Sequence, residues 1–505
     1  MASSGPDLLL PPLALPEELV RNLVRQNPWW SGDALPQLPA YRRWPFRKLL
    51  ARLDQPVAPI NVVRGPRQIG KTTLQLQIID ALLKRGVTPA RIFRVQFDDL
   101  PTLKDRKLQE PILRLVEWFE NSVLKSTLNA SAQKNEPAYL FLDEVQNLGD
   151  WDVQLKSLVD HATVRVLVTG SSALRIERGR DSLAGRIHSM EVGPLRLAEI
   201  GQLRGFGAVR PLQEDNGWAD WLRPDFWRQL VAHANAQMPG LADAFAAFSR
   251  LGGYPLAQNN PNVPWSDVAD QLRETVVKRV IEHDLRIGDR GRKRDAALLE
   301  EIFRIACRYL GQAPNPTFLA REAQLTLHAN VGVQRVRHYL DFLDSSLLLK
   351  QVEPLEIRLK KRRGYRKICL CDHAIRAAWL QEVIPLDPVE LDRSPDLMDL
   401  AGRVAESAAG YYLSSITGLA VSHLPERGGE PEVDYVLTIG EQRIPVEIKY
   451  RRQIDSMRDT LGLRAFIEKA ANNAPFGLLV TREDAQAPAD PRIITVPLRA
   501  LLIVR

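Results

Sequence analysis

An α/β protein of several domains is predicted, and three stretches of the 505-residue chain predict it. Residues 60–63 read as a short buried strand that enters a glycine loop, Gly65-Pro66-Arg67-Gln68-Ile69-Gly70-Lys71-Thr72, and a helix-spaced segment to Lys84. Residues 138–142 form a second apolar strand that ends in the adjacent carboxylates Asp143 and Glu144. Beyond residue 390, alternating strands at 432–437 and 444–450 flank a turn at Gly440-Glu441. These patterns combine strands of period two with helices of period 3.6.

Taken in order, an N-terminal arm occupies residues 1–47 and is open to two placements, under a bound base or against the core. A sheet domain follows at 48–200, with strands at 60–63, 91–97, 138–142, 164–169 and 188–192. Residues 201–290 are helical and include a tryptophan-rich insert, 203–239, that fits no recognised pattern. Residues 291–385 combine helices at 300–310, 317–324 and 332–343 with strands at 347–352 and 367–371. Pro385 and Pro388 mark a linker to the last domain, 390–505. Hydrophobic residues make up 45% and charged residues 26%, as in globular proteins. No apolar run approaches the roughly 20 residues a bilayer span needs. Leu8-Leu9-Leu10 lacks a basic flank and meets Pro11 and Pro12, so no signal peptide is expected. Cys307, Cys369 and Cys371 make neither a disulfide framework nor a zinc quartet; the last two alternate on a strand as small core residues. A reduced, cytoplasmic setting and no membrane partner are expected.

The glycine loop matches G-x-x-x-x-G-K-[ST] with a strand before it and a helix after it, the context a phosphate cradle requires. Gly65, Pro66, Arg67, Gln68, Ile69, Gly70, Lys71, Thr72 and Thr73 then bind the nucleotide. Backbone N–H groups and the helix N-terminus face the β-phosphate, Lys71 neutralises β/γ oxygens, and the Thr72 hydroxyl ligates Mg²⁺. Asp143 holds the same Mg²⁺, and Glu144 orients and deprotonates an attacking water. An aspartate alone would suit a switch or a kinase; the Asp-Glu pair favours ATP hydrolysis. Between the two motifs lies the strand at 91–97, so the Asp143 strand is not the next in sequence after the loop.

The net charge of +7 is concentrated locally. Arg358-Leu359-Lys360-Lys361-Arg362-Arg363-Gly364-Tyr365-Arg366-Lys367 is the densest basic run, and Arg290-Gly291-Arg292-Lys293-Arg294 is a second. Two short helices followed by a basic hairpin have the pattern of a winged helix. Arg335 and Arg337 would then face a DNA groove, while Lys360, Lys361, Arg362 and Arg363 contact phosphates. A helical connector with a solvated basic face is the competing account. In the last domain Glu447 and Lys449 project from one strand face. With Asp434, and with Glu406 from the helix opened by Ala401-Gly402-Arg403, they suit a second Mg²⁺ or Mn²⁺ and phosphodiester chemistry. This carboxylate followed by E-x-K resembles the core of restriction-endonuclease-like nucleases.

Most of residues 25–480 resembles the prokaryotic AAA+-type P-loop ATPases that fuse a winged helix and a restriction-endonuclease-like (PD-(D/E)xK) C-terminal domain. The resemblance is carried by Gly65-Pro66-Arg67-Gln68, Leu142-Asp143-Glu144-Val145-Gln146 with Trp151, Thr169-Gly170-Ser171-Ser172 and Ser182-Leu183-Ala184-Gly185-Arg186. Gly193-Pro194-Leu195, Gly252-Gly253-Tyr254-Pro255, residues 367–372, Asn27-Pro28-Trp29-Trp30 and Tyr41-Arg42-Arg43 extend it. Ala198-Glu199-Ile200 departs from it by lacking an aromatic residue before the glutamate. The resemblance implies the additional-strand sheet order, with the helical segment as a lid. It also implies a polar side chain between catalytic water and γ-phosphate, Thr169 first and Ser171 next. An arginine acting on a neighbouring subunit's γ-phosphate is implied as well: Arg186, with Arg178 and Arg180 competing and a plain surface arginine the alternative. Three function classes stay open. The chain is a homo-oligomeric, hexameric ATPase motor on duplex or branched DNA of the branch-migration or repair type, an ATP-gated structure-directed nuclease, or a slow nucleotide switch in signalling or phage defence.

Overall fold

The structure is a computed structural model and describes residues 15–54, 57–100, 109–171, 183–214, 219–281, 295–356, 364–426, 428–485 and 488–505. It divides into two compact units, residues 1–65 with 70–191 and residues 66–69 with 192–505. The expected end of the sheet domain at residue 200 therefore falls inside a helix, Leu197–Arg204, of the second unit.

The first unit is built on β1 (Ile60–Arg64), β2 (Ile92–Gln96), β3 (Ala138–Asp143), β4 (Val164–Gly170) and β5 (Ile187–Glu191). Their spatial order is β2-β3-β4-β1-β5 and every neighbouring pair is parallel. β4 thus lies between the glycine-loop strand and the Asp143 strand, the additional-strand order that the resemblance implied. All six residues of β3 are buried, as a central parallel strand covered on both faces requires. Ile60, Val62, Val95, Leu140, Leu142, Val166 and Val168 form one core with Ile112, Leu115, Trp151 and Leu155 of the flanking helices. Each such side chain contributes about 1.5–3 kcal/mol of burial free energy.

β2 is an outer strand, and the arm caps it with side chains. Asn27 donates its amide to the Arg94 carbonyl at 2.8 Å and accepts the Arg94 N–H at 2.7 Å. Gln26 treats Gln96 the same way at 3.2 and 2.8 Å, and the indoles of Trp29 and Trp30 both donate to the Ile92 carbonyl. An edge that would otherwise template another strand is closed. Asn27→Ala should strip two buried backbone groups of their partners. We expect faster hydrogen exchange of the Arg94 amide, equivalent to about 2 kcal/mol of lost local stability. Unchanged protection would mean that Asn27 is dispensable to the edge.

The second unit opens with the helices Pro224–Asn235, Gly240–Leu251 and Trp265–Leu272. Its tryptophan-rich insert is anchored to the chain's end. Leu212 and Gln213 donate backbone N–H groups to the carbonyls of Ile503 and Val504. Trp221 and Trp227 are fully buried edge-to-face at 5.3 Å. Helices Ala296–Arg308, Pro316–Leu327 and Val333–Ser345 then precede β6 (Leu349–Val352), which pairs antiparallel with β7 (Lys367–Leu370). Asp295 and Asn315 cap the first two helices, and Cys307, Cys369 and Cys371 are buried. The segment expected as a linker is pinned: the Leu386 and Asp387 N–H groups both donate to Ser249 Oγ.

The C-terminal sheet contains β8 (Ala420–Leu424), β9 (Val433–Ile439), β10 (Gln442–Lys449), β11 (Gly477–Thr481) and β12 (Ile493–Pro497) in the order β12-β11-β10-β9-β8. β8, β9 and β10 are antiparallel neighbours; β10, β11 and β12 are parallel. Helices Met398–Ser414 and Leu461–Glu468 pack against it. Among the described residues no helix is long and apolar enough to cross a membrane.

Candidate active site

Parallel strands leave their C-terminal ends on one edge, where β1, β3 and β4 bring their final residues together. Gly70 has φ +88°, open to glycine at no cost, and starts the helix Lys71–Lys84. The Lys71 ammonium donates to the Gly65 carbonyl at 2.9 Å, and the Thr72 hydroxyl donates to Asp143 Oδ2 at 2.7 Å. Thr169 Oγ1 donates to the other oxygen, Oδ1. Asp143 is therefore fixed by one hydroxyl from the loop helix and one from β4. Glu144 stands in left-handed backbone geometry, φ +54°, with its N–H on the Thr169 carbonyl at 2.9 Å. Its carboxylate accepts from Ser171 Oγ at 2.8 Å. Thr169 and Ser171, first and second in the sequence reading for one role, touch different carboxylates.

A hard hydroxyl–carboxylate pair beside a lysine and a helix N-terminus fits MgATP. Thr73 lies one residue further into the helix, partly buried.

Sequence reasoning missed Arg94, which lies on β2 with 5% of its surface exposed. Its guanidinium is 3.4 Å from Asp143 Oδ2, 2.7 Å from Gln96 Oε1 and 3.1 Å from Gln75 Oε1, while Gln75 donates to Thr169 Oγ1 at 3.3 Å. Burial pushes Arg94 below the usual arginine range, and Asp143 and Asp99 oppose that shift. The signal was present: a lone charge in the apolar strand Ile92-Phe93-Arg94-Val95 demands a buried partner.

Arg186 is elsewhere. It precedes β5 at the opposite edge of the sheet, where the Ile60 N–H donates to its carbonyl. Its guanidinium grips Asp160 with two bonds, at 2.5 and 3.1 Å. Arg178 and Arg180 lie outside the described residues. So do Lys360, Lys361, Arg362, Arg363 and the run at 290–294. Arg335 is half-exposed and pairs with Asp295 at 3.2 Å; Arg337 is exposed on the same helix.

Glu406, Asp434, Glu447 and Lys449 come together in the second unit, around a residue the sequence reading did not single out. Lys367, 1% exposed, places its ammonium against Glu406, 3.3 Å from Asp434 and 3.4 Å from Glu432. Lys449 pairs with Glu447 Oε1 at 2.5 Å, and Asp434 Oδ2 accepts the Ile448 N–H at 2.8 Å. Burial alone would lower the Lys367 ammonium, but Asp434, Glu406 and Glu432 hold it well above its ordinary value. Burial and the nearby Asp434 push Glu447 up to about 8 and raise Glu406 strongly. Burial beside Lys367 lowers His423 to about 4. The Lys367 ammonium thus stands between Glu406 and Asp434, two of the residues expected to hold a second divalent metal.

Residues 57–201 match the family model of the AAA domain. The chain carries an AAA-type P-loop ATPase domain. Residues 243–383 match a domain of unknown function (DUF8612), which runs from inside the helix Gly240–Leu251 to beyond β7. An uncharacterised protein of Methanocaldococcus jannaschii is 26% identical over 74% of this chain and 71% of its own length. One of Mycobacterium tuberculosis is 25% identical over 74% of this chain and 66% of its own. Among solved structures, a Walker-type ATPase of Pyrococcus abyssi aligns over 69% of this chain and 99% of its own, with 15% identity and a TM-score of 0.39.

Proposed function

We propose that the protein is an oligomeric ATPase that acts on DNA, as a motor on branched or junction DNA. Hydrolysis is supported above all by the division of labour at the end of β4. Thr169 fixes Asp143 and Ser171 fixes Glu144, so the metal-holding carboxylate and the water-activating one are positioned separately. Lys71 and the first-turn amides hold the β/γ-phosphates, and Thr72 with Asp143 holds the ion. Mg²⁺ bound there would supply neutralisation of the phosphate-oxygen charge. Glu144 takes the proton of the attacking water once Ser171 releases it.

Action on DNA is supported by three helices followed by a hairpin whose intervening segment, residues 357–363, is rich in lysine and arginine. We read this as a winged helix. Replacing Lys360, Lys361, Arg362 and Arg363 by alanine should weaken DNA binding equally for all sequences. The slope of log affinity against log salt should flatten by about one unit for each phosphate that is no longer neutralised. Unchanged affinity and slope in a fluorescence-anisotropy titration would reduce the run to a solvated face.

A second reading, a slow nucleotide switch, is favoured by the Glu144–Ser171 bond, which engages the carboxylate that would act as base. ATPase rates with duplex, single-stranded, forked and four-way DNA, measured beside oligomeric mass, separate the two readings. A motor turns over faster on one DNA form and assembles with ATP. A switch turns over slowly with or without DNA.

A further inference from the structure

We propose that Lys367 is the resident cation of the C-terminal carboxylate centre. The centre then takes no divalent metal and acts as a joint that fastens the β6–β7 hairpin to the C-terminal sheet.

Four of the six carboxylate oxygens of Glu406, Asp434 and Glu447 are already committed. Glu406 and Asp434 Oδ1 face the Lys367 ammonium, Asp434 Oδ2 holds the Ile448 N–H, and Glu447 Oε1 holds Lys449. Glu447 Oε2 is the one oxygen of these three carboxylates that is buried without a partner. A divalent ion would have to displace these contacts to gain the near-octahedral oxygen shell that Mg²⁺ demands, and a dication beside a buried ammonium is repelled. Lys367 is also placed 5.1 Å from the centre of the Tyr435 ring, a favourable seat for a cation.

Lys367 has little room to withdraw, because β7 is held on every side. Its Cα is opposite Val352 in the hairpin. The Ile368 carbonyl and N–H are tied to Gly311 and Gln312, and the Leu370 N–H donates to Ser407 Oγ at 2.9 Å. Helix Met398–Ser414 approaches closely at Gly410, where a Cβ would lie 2.2 Å from the Tyr435 hydroxyl oxygen. The other side of the hairpin is stitched to β8 by Leu355 N–H to the His423 carbonyl at 2.7 Å and His423 N–H to the Glu353 carbonyl at 3.1 Å. A buried ion pair with satisfied partners is costly to break, since removing one member leaves the others charged and dry. The β6–β7 hairpin is thereby fixed to the C-terminal sheet. No cutting step is assigned to the centre.

The test is a count of bound Mn²⁺ by electron paramagnetic resonance on the full-length, nucleotide-free chain at millimolar Mn²⁺. Wild type and Asp434→Asn should bind the same number of ions. Lys367→Gln should bind one more than wild type, and Lys367→Gln with Asp434→Asn should lose it again. Lys367→Arg keeps the pair and should match wild type. One ion more in wild type than in Asp434→Asn overturns the proposal, as does a folded Lys367→Gln that gains none. Should Lys367→Gln fail to fold, the comparison of wild type with Asp434→Asn still decides. None of these outcomes bears on the ATPase or DNA readings, which rest on other residues.

Discussion

Glu144→Gln is expected to bind ATP as the wild type does and to lose about 100- to 10,000-fold in turnover, the usual contribution of a positioned general base. Glutamine retains the shape and can still accept the Ser171 hydroxyl, so the fold at the end of β4 is kept while the base is gone. Lys71→Ala should fail earlier, at binding. It removes the charge that neutralises the phosphates, and the Gly65 carbonyl loses its ammonium donor. The two variants are told apart by nucleotide binding measured calorimetrically beside single-turnover hydrolysis: tight and slow for Glu144→Gln, weak for Lys71→Ala. Wild-type turnover in Glu144→Gln would take the residue out of its role. Ser171→Ala separates the two readings of the 2.8 Å bond: turnover falls where the bond positions Glu144 as base and rises where it holds the carboxylate back.

Much of this site was legible in the sequence, for a physical reason. Phosphate cradles are local: one strand, one loop and one helix turn hold Gly65 to Thr72, and glycine spacing records the backbone they need. Asp143 and Glu144 were equally plain because an all-buried strand cannot end in two carboxylates without a use for them. What escaped was non-local. Arg94 matters through Gln75 and Asp143, which reach it from a different helix and strand, so only its oddity within an apolar strand marked it. Lys367 was hidden by its neighbours, because it closes a basic run that draws the eye to DNA while its own side chain turns inward. Its partners Glu406, Glu432 and Asp434 belong to later elements. Glu406, Asp434, Glu447 and Lys449, expected together around a metal, do stand together, but the Lys367 ammonium lies among them. The tryptophan-rich insert was unreadable for the same reason: Leu212 and Gln213 answer to Ile503 and Val504, at the far end of the chain.

Arg186→Ala is expected to lower ATP turnover by about 1,000- to 100,000-fold if this side chain is the arginine that completes a neighbouring subunit's site. Its position poses the question sharply. Within the subunit it sits before β5, on the sheet edge opposite Thr72 and Asp143, so it cannot serve the loop of its own chain from there. It is held by Asp160 in a half-exposed, two-bond pair that solvent can reach. A half-exposed arginine far from its own phosphate loop could exchange Asp160 for the γ-phosphate of a second copy. Mixing Arg186→Ala with Glu144→Gln subunits then supplies what each lacks: an interface can form in which an intact Glu144 faces an intact Arg186. Turnover of the mixture should rise above that of either variant alone, and only at concentrations where the chains assemble with ATP. An Arg186→Ala protein that hydrolyses ATP at the wild-type rate would instead leave the side chain the role the single subunit shows, a clasp between the start of β5 and the end of the helix Trp151–His161. Assembled variants that are both inactive and fail to rescue one another would move the role to a different arginine.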